Sequence, residues 1–287
     1  MAESDQSGQR TVAYVLGGGG HLGANEVGML QALLERNILP DLIVGTSVGA
    51  LNGVAVAAEP SLDTVTELRR AWLALGKERV FASPFGGAAN LVRRGTHLHS
   101  NGNLKALIER LLPVERFEEL KVPFQCVAAS VERAAEHWFS EGPLVPAILA
   151  SAAVPGLLPP VEIDGEHFFD GGLVNSIPIE RAIQLGATEL YILHVGRIEQ
   201  PLKAPRNLLQ VATVAFEIGR RHRFARDMGS LPDGVVGHVL PTGEENSPTG
   251  LSQLKYRDFT HVAQRMEAAH RASATFLDEL ASAAGAG

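Results

Sequence analysis

The chain has 287 residues, of which 45% are hydrophobic and 20% charged, with a formal net charge of −7 and a pI near 5.8. A chain of that size and apolar content buries a large core, while its acidic balance excludes a general nucleic-acid partner, which needs a basic field. The single cysteine, Cys126, excludes an intrachain disulfide and makes a reducing, cytoplasmic setting the expectation.

Residues 1–10 form a polar tail without the apolar segment of a signal peptide. The first strand is predicted over Thr11–Leu16. It runs into Gly17-Gly18-Gly19-Gly20-His21-Leu22-Gly23-Ala24 and then a helical pattern from Asn25 to Arg36. Consecutive glycines expose backbone N–H groups and form a nest for an anion. Gly18, Gly20 and Gly23 fit the dinucleotide fingerprint G-x-G-x-x-G, which expects an acidic residue at the end of the next strand. Here Asp41 starts that strand instead. The competing reading, an oxyanion hole for an acyl transition state, fits better, since adjacent parallel strands deliver both loops to one edge of a sheet.

The next strand, Leu42–Val44, leads into Gly45-Thr46-Ser47-Val48-Gly49 and a small-residue helix, Ala50–Ala58. Glycines on either side let the chain turn sharply from strand to helix and present Ser47 as a nucleophile, with the helix N-terminus favouring negative charge on Oγ. The bland alternative is a tight turn with Ser47 as a helix cap.

A helix ends near Lys77, and Phe81–Asn103 reads as a lid or head-group contact, or as a solvated excursion. His97 and His99 lack a carboxylate partner and make a poor metal site, and no metal or cofactor is expected. A strand is predicted over Phe124–Ser130. Gly142–Val161 carries no charge, but prolines 143, 146, 155, 159 and 160 break any spanning helix. A buried helix over Ala147–Ala153 and a rigid loop lining an acyl pocket are expected there.

The strand His167–Phe169 ends in Asp170-Gly171-Gly172. Its carboxylate is a candidate general base, the glycines allowing close backbone approach; the alternative is an Asx turn. The strand Leu190–His194 ends in a histidine that could complete a serine, aspartate, histidine order. A helix over Asn207–Met228 carries Arg220, Arg221, Arg223 and Arg226, a solvated face or a contact for anionic lipid. A strand over Gly237–Leu240 and an outer helix over Leu254–Ala281 follow.

This alternation predicts an α/β fold, a mostly parallel central sheet with helices on both faces. One domain is expected over 11–280, its motifs over 11–195 and a helical part over 200–280, with a disordered tail at 281–287.

Together the glycine loop, the G-x-S-x-G serine and the D-G-G aspartate resemble the patatin-like phospholipase family. Val27-Gly28-Met29-Leu30, the segment Ala150 to Gly156 and Gly172-Leu173-Val174-Asn175-Ser176-Ile177-Pro178 agree with it. The resemblance implies a three-layer α/β/α fold and a Ser47–Asp170 dyad. It also implies an oxyanion hole of Gly18, Gly19 and Gly20, with Gly23, Gly45, Gly49, Gly171 and Gly172 shaping the turns. It implies a lipid or acyl-ester substrate, hydrolysed or transferred, and peripheral membrane contact. One departure is Leu22, where the family often has a basic residue.

Overall fold

The computed structural model describes residues 10–77, 99–195, 201–202, 204–205, 208–243 and 261–285. In chain order the elements are β1 (Val12–Leu16), α1 (Ala24–Glu35), β2 (Leu42–Thr46), α2 (Val48–Ala58), α3 (Leu62–Lys77), α4 (Gly102–Leu111), β3 (Phe124–Ser130) and β4 (Ala135–Phe139). They continue with α5 (Leu144–Ser151), β5 (Val161–Ile163), β6 (Glu166–Asp170), α6 (Ile179–Gln184), β7 (Glu189–Leu193), α7 (Leu208–Gly229), β8 (Val236–Val239) and α8 (Val262–Gly285).

The strands form one sheet in the order β5-β6-β3-β2-β1-β7-β8, with β4 also on β3. The run β3-β2-β1-β7-β8 is parallel throughout. Its central strands are buried on both faces, which is why they read as continuous apolar runs rather than alternating ones. Along β1, Val12, Tyr14 and Leu16 enter a core shared with α1 to α5 and α8, while Ala13 and Val15 enter a second core with α6 and α7. The alternation follows from the two-residue period of a strand and yields the expected three layers.

Two strands, β4 and β5, leave no strand signal in the sequence, because Ala135-Glu136-His137-Trp138-Phe139 is half-exposed and Val161–Ile163 follows a proline run. Helix α5 begins at Leu144, earlier than expected, because Pro146 lies in the first turn, where its missing N–H has no intrahelical partner to lose. The C-terminal helix continues to Gly285 in place of a tail from residue 281, and Arg36, which caps the C-terminus of α1, forks onto Asp278 at 2.8 and 2.7 Å. Residues 1–9, 78–98 and 244–260, including most of the expected lid, lie outside the described residues.

One edge of β3 sets the site. Cys126 and Val127 pair with β2 and β4, and Ala128 to Ser130 pair with β4 and β6. A strand residue has one neighbour per edge, so β2 and β6 run head to head along the same edge of β3. Thr46 stands opposite Val127 and Asp170 opposite Ala128. The two strands therefore end against each other.

Candidate active site

Ser47 is the one residue between β2 and α2, with φ 55° and ψ −120°. That conformation costs a residue with a side chain about 1–3 kcal/mol and throws Oγ clear of the strand end. The turn is this tight only because Gly49 has no side chain: a Cβ there would lie 2.5 Å from the carbonyl oxygen of Leu16. Two buried bonds hold it, the Ser47 amide donating to Oγ of Ser151 at 2.9 Å and Oγ1 of Thr46 donating to the Asn175 carbonyl at 2.8 Å.

Ser47 Oγ donates to Oδ2 of Asp170 at 2.6 Å. The other carboxylate oxygen, Oδ1, accepts from the Gly172 amide at 2.7 Å, and the Asp170 amide donates to the Ala153 carbonyl at 2.9 Å. Burial raises the Asp170 carboxyl to about 6, against the downward pull of the bonds from Ser47 and Gly172. It is thus a stronger base than an ordinary aspartate while still ionised in large part at neutral pH. Gly171 is needed for contact with β3, since a Cβ there would lie 2.2 Å from the Val127 carbonyl oxygen.

The glycine loop passes beside this pair. The Gly17 amide donates to the Leu193 carbonyl at 3.0 Å, and the Gly18 amide to the Ser176 carbonyl at 2.8 Å. Gly18 is therefore spent on the fold. It lies directly against the serine turn, where a Cβ at position 18 would be in ordinary contact with Cβ of Ser47 at 3.4 Å. Of the three expected donors, the amides of Gly19 and Gly20 are the two with no acceptor among the described residues. Gly23 packs on Val48 and Trp72, Gly45 on the Gly49–Ala50 backbone, and Leu22 is buried, so no head-group contact comes from position 22.

From Ser47 a cavity opens between Gly20, Val48, Leu51, Trp72, Leu107 and Ile148. Its lining is almost wholly aliphatic and aromatic, the surface that accepts a hydrocarbon chain. The expected rigid loop does line it, through Val154, Leu157 and Leu158.

His194 stands elsewhere. It follows β7, which β1 separates from β2, on the order of 10 Å from the serine strand. Its Nδ1 lies 3.4 Å from Nη1 of Arg220, and its ring stacks on Phe224 at 5.7 Å. Asp41 accepts from the Val12 amide at 2.7 Å at the opposite end of the sheet, remote from any ribose site. The arginine cluster is not one solvated face: Arg220 is buried in a fork on Glu217 at 3.0 and 2.9 Å, and Arg226 pairs with Asp227 at 3.0 Å. Burial pushes the Cys126 thiol up, so it stays protonated. Among the described residues no cluster suits a metal ion and no helix is long and apolar enough to cross a membrane.

Sequence reading missed Ser151, Thr46, Asn52 and Trp72, each of which touches the site. Ser151 lies inside the Ala150 to Gly156 segment, and nothing in its sequence neighbours distinguishes a buried acceptor from a core serine.

A family model for the patatin-like phospholipases matches residues 14–183. The patatin-like phospholipase domain-containing protein ZK370.4 of Caenorhabditis elegans is 34% identical over 202 residues, covering 66% of this chain and 14% of that protein. The patatin-like phospholipase domain-containing protein 6 of Homo sapiens is 30% identical over 188 residues, covering 65% of this chain and 13% of its own length. Lysophospholipase nte1 of Aspergillus terreus is 29% identical over 194 residues, covering 66% of this chain and 12% of its own. This chain therefore matches only a small part of each of these relatives. On a model that covers more than half of its length, the chain belongs to the patatin-like phospholipase family.

Proposed function

We propose that the chain is a serine lipid acyl hydrolase that cleaves acyl esters through Ser47 and Asp170. The observation that carries this reading is the 2.6 Å bond from Ser47 Oγ to a buried aspartate that no described histidine intervenes to serve. The names of relatives, a lysophospholipase and phospholipase-domain proteins, point to the same class of substrate.

In the acylation step Ser47 Oγ attacks the ester carbonyl carbon while its proton passes to Oδ2 of Asp170. The carbonyl oxygen becomes an oxyanion, for which the free amides of Gly19 and Gly20 are the donors. The C–O bond to the alcohol then breaks, and Asp170 returns the proton to the departing oxygen. Deacylation repeats the sequence with water: Asp170 takes its proton, hydroxide oxygen bonds to the acyl carbon, and Ser47 leaves with the proton restored. An ordinary aspartate is a weak base for serine, so amide donors must supply much of the stabilisation, about 3–4 kcal/mol for each. The apolar cavity beside Ser47 suits the acyl chain.

Labelling with a fluorophosphonate, followed by peptide mass spectrometry, tests the reading. An adduct on Ser47 that disappears in Asp170→Asn is expected. A folded wild-type protein that takes no label would sink the reading and bring forward a glycine loop with no catalytic role.

A further inference from the structure

Helix α2 carries a buried amide that the chemistry above does not use. Asn52, one turn in from Ser47, is wholly buried. Its Nδ2 donates to the Gly23 carbonyl at 2.9 Å and to Oε2 of Glu26 at 2.7 Å, and its Oδ1 accepts from Nε1 of Trp72 at 3.0 Å. One side chain thus joins three parts of the site. Gly23 ends the glycine loop, Glu26 opens α1, and Trp72 is a wall of the cavity.

Glu26 is wholly buried, and burial raises its carboxyl well above the usual carboxylate range, against the downward pull of the bond from Asn52. Since neither Asn52 nor Trp72 carries a charge, the group is a hydrogen-bonded junction rather than an ion pair. A fully used buried amide rigidifies what it joins. Here the joined pieces are the helix that starts at the nucleophile and the loop that carries the free amides three and four residues before Gly23. A leucine at position 52 would fill the space without making any of these three bonds, and so would fix neither distance nor register.

We propose that Asn52 is a positioning residue that sets the spacing between Ser47 and the amides of Gly19 and Gly20, and holds the Trp72 wall in the same register. The proposal rests on the acyl-hydrolase reading. If the spacing were wrong by a fraction of an ångström, the oxyanion would lose donor contact while the acyl chain still bound. The deficit then falls on kcat and not on KM.

The test compares Asn52→Leu with wild type on a matched ester and thionoester that share acyl chain and leaving group. Sulfur is a poor hydrogen-bond acceptor, so the thionoester draws little from the amides. The expected result is a kcat for the ester lowered by ~30-fold or more, approaching the ~100-fold lower end seen when one oxyanion donor is lost outright, with KM little changed. The ester to thionoester ratio should fall by ~10-fold. A folded variant in which both substrates lose rate equally, or neither does, overturns the positioning role. Because Asn52→Leu leaves Glu26 without its partner, the pair Glu26→Leu with Asn52→Leu removes both polar groups and gives the same readout if the single variant fails to fold. Asn52→Ala, which only deletes atoms, is the third route. Fluorophosphonate labelling of wild type comes first: without it, the hydrolase reading and this proposal fall together, whereas a labelled wild type with an unmoved ratio in the variants overturns the Asn52 role alone.

Discussion

The hydroxyl of Ser151 accepts the amide proton of Ser47 at 2.9 Å, both residues being buried. The amide of the serine is thereby held by the last residue of α5 and does not point at the reaction. Ser151→Ala leaves a buried N–H without an acceptor at a strained residue, and we expect a loss of about 1–3 kcal/mol in stability. The rate of Ser47 labelling should fall as well. Urea unfolding and labelling kinetics read the two effects, and unchanged labelling in the folded variant would show that the strained turn holds itself.

Ser47→Ala and Asp170→Asn should each lower ester turnover by ~10⁴-fold or more, the scale seen when a member of a nucleophile and base unit is removed. Circular dichroism of the folded variants excludes collapse. Residual turnover within tenfold of wild type in either variant would assign the chemistry to other residues.

The raised Asp170 carboxyl predicts a pH dependence. With Asp170 in the proposed role of general base, which must be ionised to take the serine proton, kcat/KM should climb through pH about 6 and level off above it. The sign for stability is opposite. With its carboxyl at about 6 when folded and 3.8 as the reference, the native state binds the extra proton between those values. This group's contribution is then greatest below pH 3.8 and declines by about 3 kcal/mol as pH rises through 6. Asp170→Asn should accordingly gain on wild type in melting temperature between pH 4 and 6. A constant difference across that range would mean that the carboxyl is not raised.

His194→Ala should keep turnover within ~3-fold of wild type, a barrier change below 1 kcal/mol, because its ring faces Arg220 and Phe224. Loss of activity in a folded variant would restore a triad.

Gly171→Ala should be among the costliest single methyl additions in the chain. The new Cβ would meet the Val127 carbonyl oxygen at 2.2 Å, and that oxygen belongs to the strand that aligns the site. A loss of ~3 kcal/mol or more is expected from backbone overpacking. Chemical denaturation measures it, and a loss under ~0.5 kcal/mol would mean that β3 and the aspartate turn separate freely.

Local chemistry wrote part of this site into the sequence. The glycines around Ser47 and after Asp170 are legible because sharp turns and close backbone contacts require them, and apolar runs such as Val12–Leu16 are legible because a strand buried on both faces needs nothing else. The half-exposed β4 left no such run, and the course of α5 depended on a proline in a permitted turn. The glycine run alone offers the Gly18 amide to a substrate, and its engagement with the Ser176 carbonyl has no local signature, since Ser176 lies beyond several intervening elements.

What the sequence by itself determined is the alternation of strands and helices, the family motifs, and a serine and an aspartate each set in a glycine-bounded turn. What only the tertiary structure decided is that these two, 123 residues apart, meet at all. They meet because β2 and β6 end against each other on one edge of β3, and strand pairing is a choice among long-range partners that no local propensity encodes. The same holds for Ser151 and Asn52. A buried hydroxyl or amide has no pattern of its own, and its role is fixed only by which orphaned backbone group or polar atom the packed core sets within 3 Å of it.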